Sequence, residues 1–125
     1  MLKVMIVEDA KIMRHTIKSN LVSLGYNVVT EVDNGFDAIK KYKLFQPDIV
    51  TMDITMPGKN NINNGIDALV ELKKIDPSVN VVMLTSHGEN RLVMEAITKG
   101  AKGYILKPVT KENIQEAFEK LNLGT

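Results

Sequence analysis

The rest of the chain can be interpreted around one segment, Ile49-Val50-Thr51-Met52-Asp53-Ile54-Thr55-Met56-Pro57. Its apolar, β-branched first half follows Pro47-Asp48, and Pro57-Gly58 closes it behind Asp53. Such a run between chain breakers predicts a buried strand. A carboxylate buried in mid-strand without a partner would be costly, so we expect Asp53 at the carboxyl end of the strand. In an open parallel sheet, that edge is where ligands and chemistry gather.

The composition is that of one ordinary domain, with 125 residues, 25% charged side chains and a formal net charge of +1. Since the charges are mixed, no basic surface is predicted, and nucleic acid is not expected as a direct partner. The chain has no cysteine, which excludes disulfide bonds and thiolate metal sites. The apolar stretch Met1–Val7 is too short for a signal peptide or a membrane span. We therefore expect one cytoplasmic domain over residues 1–125, without membrane contact.

Strand and helix patterns alternate along the whole chain. Strands are predicted at Lys3–Val7, Val28–Val32, from Ile49, at Val81–Leu84 and at Gly103–Leu106. Helices are predicted from Lys11 to Gly25 with Ile12, Ile17, Leu21 and Leu24 at helical spacing, at Phe36–Phe45, from Ile66 to Asp76-Pro77, from Leu92 to Gly100, and from the N-cap Thr110 through Leu121. This alternation predicts an α/β fold, a doubly wound parallel sheet with helices on both faces. Periodicity leaves the strand order open.

One connection is unusual in composition. Residues Gly58–Asn64 form a polar, asparagine-rich run directly behind the central strand. Asparagine and glycine suit left-handed and Asx-turn backbone conformations. We expect an exposed and mobile loop here.

The ends of the predicted strands bring polar side chains to one edge of the sheet. Glu8 and Asp9 follow the first strand, Asp53 ends the third, Thr85 follows the fourth, and Lys107 follows the fifth. Two carboxylates about 4 Å apart repel by about 4 kcal/mol at an effective dielectric of about 20, so three of them need a cation. Oxygen ligands without histidine or cysteine point to a hard cation such as Mg²⁺.

This set of groups suits phosphoryl transfer onto a carboxylate. Asp53 would attack phosphorus in line, while Mg²⁺ and Lys107 neutralise the phosphoryl oxygens. Thr85 could then donate a hydrogen bond to the new phosphoryl group and draw its loop inward. Taken singly, each residue also has a structural explanation: Glu8-Asp9 as an acidic helix start, Thr85 as a loop hydroxyl and Lys107 as a solvated lysine.

Five motifs together resemble the receiver domain of two-component response regulators, the CheY-like family. They are Val7-Glu8-Asp9, Met52-Asp53-Ile54-Thr55-Met56-Pro57, Met83-Leu84-Thr85-Ser86, Gly100-Ala101-Lys102-Gly103-Tyr104 and Lys107-Pro108. The resemblance spans the whole chain and implies a flavodoxin-like fold with strand order 2-1-3-4-5, the order known for this family. It also implies a cis peptide bond between Lys107 and Pro108.

The same resemblance assigns roles to residues. It implies Asp53 as the phosphoacceptor and Lys107 as the phosphate clamp, with Thr85 and Tyr104 as a switch pair. Tyr104 has a structural explanation too, as a half-buried strand tyrosine. The implied ligands of Mg²⁺ are Glu8, Asp9, Asp53 and the carbonyl oxygen of Thr55.

Two features depart from the family pattern. Glu8 stands where the family often has a second aspartate, which leaves the metal affinity open. The family usually has about three residues between its Met-Pro pair and the glycine that opens the next helix, whereas seven, Gly58–Asn64, precede Gly65 here. Either this is a tolerated surface insertion, or Lys59 and the asparagines shape partner recognition or the access of water to phosphorylated Asp53.

Both histidines lie near predicted functional regions without a predicted phosphohistidine role, because the carboxylate site already accounts for phosphate chemistry. His15 is expected at the surface of the first helix, where members of this family meet their kinase. His87 and Thr55 occupy positions that border the phosphoryl group in the family. We expect both to influence how fast water attacks that group.

By resemblance, the protein is expected to be a signalling switch that assists only its own phosphorylation and dephosphorylation. It would accept a phosphoryl group from a histidine kinase, change shape on the face of its last three strand and helix units, and bind a downstream protein. A chemotaxis-type regulator of a flagellar motor or another effector is the favoured subgroup. A phosphorelay intermediate and the receiver of a transcriptional regulator are alternatives. A monomer is expected, and dimerisation on activation stays open.

Other classes fit the residues less well. A Mg²⁺-dependent phosphohydrolase with Asp53 as nucleophile would need a second carboxylate two residues on, where Thr55 stands, and a cap segment. A flavin mononucleotide carrier would need a phosphate-binding loop after the first strand, where Glu8-Asp9 would repel the phosphate. A receiver that is never phosphorylated is disfavoured, because the aspartates, the threonine and the lysine of the site are all present.

Overall fold

The computed structural model describes residues 1–124, and Thr125 lies outside the described residues. Strands and helices alternate from end to end, as the sequence predicts. The elements are β1 (Lys3–Val7), α1 (Lys11–Ser23), β2 (Asn27–Val32), α2 (Gly35–Phe45), β3 (Ile49–Asp53), α3 (Gly65–Ile75), β4 (Val81–Thr85), α4 (Asn90–Thr98), β5 (Gly103–Leu106) and α5 (Lys111–Glu119).

All five strands are parallel and lie in the order β2-β1-β3-β4-β5, which confirms the expected topology. In the register, Val7 pairs with Met52 and Asp53 pairs with Leu84. The carboxyl ends of β1, β3 and β4 therefore meet at one edge of the sheet. The side chains that follow these ends are brought together by topology, although they are far apart in sequence.

Helices cover both faces of the sheet and produce two apolar cores. One core joins α2, α3 and α4 to the sheet, and the other joins α1 and α5 to the opposite face. Every residue of β3 and of β4 is buried. Strands covered on both faces are expected to be continuously apolar, as these two are apart from their threonines and Asp53.

Helix starts agree with the sequence at the level of single residues. Thr110 caps α5 as predicted, with reciprocal hydrogen bonds to Asn113. Asn34 and Asn64 cap α2 and α3, each accepting the backbone N–H three residues on. Both caps belong to the pattern Asn-Gly-x-Asp, so α2 and α3 begin one residue earlier than their apolar spacing indicates.

Ile12 is an exception to the predicted apolar face of α1. Ile17 and Leu21 are fully buried, but the side chain of Ile12 is 85% exposed. Ile17 is five positions after Ile12 in the helix, which turns their side chains about 140° apart around the helix axis. Ile12 thus leaves the core face and points to solvent.

The asparagine-rich connection is only partly the exposed loop expected from its composition. Asn60 and Asn61 have positive φ angles of 49° and 69° and form a tight turn closed by two hydrogen bonds between Lys59 and Ile62. Positive φ at both central residues is the geometry of a type I′ turn. Ile62 is half-buried and packs against the core, where its side chain closes the space beside Gly35. The insertion is therefore fastened to the start of α2.

Within residues 1–124, none of the helices combines the length and the apolar character required to cross a bilayer.

Candidate phosphoryl and metal site

Three carboxylates converge at the carboxyl edge of the sheet, as predicted. Each of Glu8, Asp9 and Asp53 offers an oxygen within 4.8 Å of the others. Glu8 and Asp53 are 1% and 5% exposed, whereas Asp9 is exposed. The edge therefore has a buried pair of acids with a third acid at its rim.

Lys107 reaches the same point from the end of β5. Its Nζ lies 3.1 Å from Oδ2 of Asp53 and 3.2 Å from Oε1 of Glu8. The peptide bond between Lys107 and Pro108 is cis, as the resemblance implies. One ammonium group thus contacts both buried carboxylates.

Burial and mutual repulsion change the protonation of this cluster. Burial and the neighbouring Asp53 raise the pKa of Glu8 to about 7. Burial also raises the pKa of Asp53, although the Lys107 ammonium opposes that effect. Burial would lower the pKa of Lys107, but the two carboxylates outweigh it and raise the pKa. Lys107 therefore stays positively charged, and this one cation faces a cluster of three carboxyl groups.

The donor set fits a hard divalent cation. Oε2 of Glu8 accepts the backbone N–H of Ala10 at 3.1 Å, but the buried Oε1 has no well-aligned hydrogen bond and only the nearby Lys107 ammonium. A buried carboxylate oxygen without a donor is costly. The available ligands are all oxygens, which suits Mg²⁺ better than a transition metal.

Gly65 lets α3 approach the acceptor carboxylate. A Cβ atom at this position would overlap the carbonyl oxygen of Asp53 and press on the Met52 side chain. The N–H of Gly65 donates to the carbonyl of Ile54 at 2.7 Å. The backbone that carries Asp53 is therefore held directly by the first residue of a helix.

Thr85 is buried at this edge, and its hydroxyl group contacts Glu89. Glu89 is not one of the site residues predicted from the sequence. Thr85 Oγ1 donates to Oε1 of Glu89 at 3.0 Å, and Thr55 Oγ1 donates to Oε2 at 2.6 Å. The backbone N–H of Ser86 also donates to Oε1, at 2.6 Å. The Glu89 carboxylate thus joins the loops that follow β3 and β4.

These contacts govern the charge of Glu89. Its partial burial would raise the pKa, but hydrogen bonds from the Ser86 N–H and from the two threonine hydroxyls outweigh burial and lower the pKa of Glu89. The sequence does contain a signal, since Ser86-x-x-Glu89 matches a capping box. That signal predicts a cap on a helix, whereas here Gly88, at φ 90°, makes a separate turn before α4.

The remaining predicted residues lie around the acid cluster. Tyr104 is 54% exposed on β5, two residues before Leu106, the strand partner of Thr85. His87 is exposed in the turn after Thr85, and His15 is exposed on α1. The structure therefore brings Glu8, Asp9, Asp53 and Lys107 together. Tyr104 lies apart from them, exposed on β5, an edge strand of the sheet.

Comparisons with known proteins point in one direction. The family model described as response regulator receiver domain matches residues 4–119. The chain is 44% identical over 120 residues to the chemotaxis protein CheY of Listeria monocytogenes, covering 96% of this chain and 98% of the relative. It is also 44% identical over 120 residues to the CheY of Thermotoga maritima, covering 96% and 97%.

A solved structure shows the same similarity. A chain from the CheX–CheY–BeF₃–Mg²⁺ complex of Borrelia burgdorferi superposes with a TM-score of 0.89 and 30% sequence identity, covering 98% of this chain and 90% of that chain.

Proposed function

Because the chain belongs to the response regulator receiver family, a family of phosphorylation-activated signalling switches, we propose that Asp53 is the residue phosphorylated. The observation that carries this proposal is the Lys107 ammonium bridging Asp53 and Glu8 inside a cluster of three carboxylates. The ion pairs hold one carboxylate oxygen of Asp53 beside a cation. A phosphoryl group arriving there would meet the same cation.

Transfer would come from the phosphohistidine of a histidine kinase. A carboxylate oxygen of Asp53 attacks phosphorus in line, the nitrogen–phosphorus bond breaks, and the histidine nitrogen leaves with the electron pair. Lys107 turns from the carboxylates to an oxygen of the phosphoryl group. The product is an acyl phosphate on Asp53, which water later hydrolyses to phosphate and the original carboxylate.

Mg²⁺ is the cofactor of this proposal. Glu8, Asp9, Asp53 and the carbonyl oxygen of Thr55 would hold it, and it would neutralise charge on the transferring phosphoryl oxygens. Glu8 would lose the proton that its raised pKa favours in the absence of metal. The similar Borrelia complex contains Mg²⁺ together with BeF₃, which supports this choice of cation.

A change of shape would carry the signal to a protein partner. Thr85 would turn towards the phosphoryl group, and Tyr104 would respond on β5. The side chains of Met94, Ile97, Tyr104 and Leu106, on α4 and β5, are between 41% and 66% exposed. Exposed apolar side chains of this kind suit a protein partner better than water.

The similarity to chemotaxis proteins favours a chemotaxis-type regulator. Its partners would be a histidine kinase and a downstream protein such as a flagellar motor component or another effector. We place it in the cytoplasm as one receiver domain over residues 1–125, monomeric before activation. His87 and Thr55, which border the phosphoryl position by resemblance, would set how fast water attacks.

Intact-mass spectrometry after incubation with acetyl phosphate tests the proposal. We expect one phosphoryl adduct in the presence of Mg²⁺, none when Mg²⁺ is removed by a chelator, and none in Asp53→Asn. The matched control is Asp33→Asn, which removes an exposed aspartate just after β2 and should leave the adduct intact. An adduct that persists in Asp53→Asn would move the acceptor to another residue and overturn the assignment.

A further inference from the structure

The Glu89 carboxylate accepts three hydrogen bonds, one each from Thr55, Thr85 and Ser86. Its two oxygens accept the Thr55 hydroxyl at 2.6 Å, the Thr85 hydroxyl at 3.0 Å and the Ser86 N–H at 2.6 Å. Thr85 is the last residue of β4, and Thr55 and Ser86 lie in the loops that follow β3 and β4, at the edge of the sheet where β3 ends with Asp53. An anion with two or three oxygens is what such a cluster of donors binds.

The Thr85 hydroxyl has one proton, so it cannot donate to Glu89 and to a phosphoryl oxygen at the same time. Thr85 is also 2% exposed, so water cannot replace Glu89 as the acceptor of its hydroxyl, and the carbonyl oxygen of Ser86 is a more distant acceptor at 3.4 Å. A phosphoryl group on Asp53 carries a charge of about −1.5 to −2 in place of the single negative charge of the free carboxylate, and the nearby Glu89 carboxylate is ionised at neutral pH. The two anions therefore compete for the same hydroxyl and also repel each other.

We propose that Glu89 is an internal latch whose carboxylate takes the place of the phosphoryl group and holds Thr85 in the unphosphorylated arrangement. This inference rests on the proposed function of Asp53. Phosphorylation would release Thr85 from Glu89, and Glu89 would leave the site. Because Glu89 is the residue immediately before α4, its departure would also change the start of that helix.

A capping role alone would predict something different. If Glu89 only closes the turn after β4, its removal would lower the stability of the fold without changing the balance between the two arrangements of Thr85. If it is a latch, removal would favour the arrangement that binds a phosphoryl group. The two explanations are separated by affinity for a phosphoryl analogue, measured apart from stability.

The test is a titration with beryllium fluoride at saturating Mg²⁺, followed by the backbone NMR signals of Thr85 and Tyr104. We expect Glu89→Ala to bind beryllium fluoride about tenfold more tightly than the unchanged protein, the effect of releasing one charge-assisted hydrogen bond. Glu89→Gln, which retains an acceptor without the charge, should fall between them. Glu95→Gln is the matched control, since Glu95 lies on α4 and pairs with Lys99, and it should bind as the unchanged protein does.

Loss of a negative charge could tighten anion binding without any latch, so the effect must depend on Thr85. In a Thr85→Val background, which lacks the hydroxyl, the effect of Glu89→Ala should shrink to less than about twofold in a double-mutant cycle. An undiminished effect in that background would overturn the latch, as would unchanged or weaker binding by Glu89→Ala. If Glu89→Ala does not fold, Glu89→Gln decides the matter by the same criteria.

The outcomes also separate this inference from the function on which it rests. A protein that gains a phosphoryl adduct on Asp53 but shows no effect of Glu89 refutes the latch alone. A protein that binds no beryllium fluoride and gains no adduct refutes both.

Discussion

Nζ of Lys107 lies 3.1 Å from Oδ2 of Asp53, so the proposed acceptor is already paired with a cation before any phosphoryl group arrives. The same nitrogen is 3.2 Å from Oε1 of Glu8. The lysine is the cation that both buried acids share, and its loss would leave two carboxylates facing each other. The lysine proposed to bind the phosphoryl group is therefore also expected to stabilise the fold of the metal-free protein.

Lys107→Met should destabilise the metal-free protein. Removing one partner of a largely buried ion pair leaves an uncompensated charge, which costs about 3 kcal/mol. Urea unfolding in the presence of a chelator should show this decrease in the free energy of unfolding. We expect added Mg²⁺ to reduce the decrease, because a bound cation replaces the missing positive charge. Lys102→Met, at an exposed lysine just before β5, serves as the control. A Lys107→Met variant as stable as the unchanged protein without Mg²⁺ would show that the ion pairs carry no net stabilisation.

Gly65→Ala should damage both the fold and the acceptor site. The added methyl group would overlap the carbonyl oxygen of Asp53, and backbone cannot move aside as a flexible side chain can. Overpacking of this kind costs about 2 kcal/mol. Gly103→Ala is the matched control, because a Cβ there would meet nothing within 4 Å. Thermal unfolding and the yield of phosphoryl adduct measure the two effects, and an alanine tolerated equally at both positions would contradict the close approach.

Local sequence patterns predict most of the fold because each buried strand is a short apolar run between breakers. The apolar residues of β3 and β4 predict buried strands without reference to any other part of the chain, and Asp53 marks the end of β3 in the same way. Strand order is different, since nothing in the periodicity of one strand specifies its neighbour. Only the family resemblance predicts the order, and the structure confirms it.

The details missed by sequence depend on contacts between distant segments. Ile62 packs in the space beside Gly35, the first residue of α2, where a Cβ atom would collide with its side chain. Glu89 reaches Thr55 across 34 positions, after a turn at Gly88 that no apolar pattern indicates. Ile12 shows the reverse case, where an apolar residue near helical spacing falls on the solvent side.

Ile62→Ala should loosen the asparagine-rich insertion. The Ile62 side chain packs beside Gly35, and Lys59 adds a contact of 3.2 Å to Asp37 and lies over the ring of Phe36. Removing part of a half-buried isoleucine side chain costs about 1 kcal/mol. We expect faster hydrogen exchange at the first turn of α2 and faster proteolysis between Gly58 and Asn64.

Asn60→Gly provides the control for the insertion, since glycine accepts the positive φ that Asn60 adopts. It should leave exchange at α2 unchanged. Equal exchange at α2 in Ile62→Ala and in the unchanged protein would mean that the insertion does not stabilise the helix start.

Tyr42 and Asp76 form a hydrogen bond at the opposite end of the domain, and they predict a pH effect separate from the phosphoryl site. The buried Tyr42 hydroxyl donates to Oδ2 of Asp76 at 2.6 Å. This bond, with those from Ser78, lowers the pKa of Asp76 below its ordinary value. A depressed carboxyl pKa contributes stability above the unfolded pKa of about 3.9, and that stability is lost as the pH falls through the folded value.

Tyr42→Phe should therefore be about 1 kcal/mol less stable than the unchanged protein at pH 7, where Asp76 is ionised. The difference should narrow below pH of about 4, because protonation weakens the bond that the variant lacks. Asp76→Asn should show the same narrowing, whereas phosphorylation of Asp53 should be normal in both variants. Urea unfolding between neutral and acidic pH measures the effect. A stability difference for Tyr42→Phe that stays constant across this range would mean that the tyrosine stabilises the fold by packing and not through the charge of Asp76.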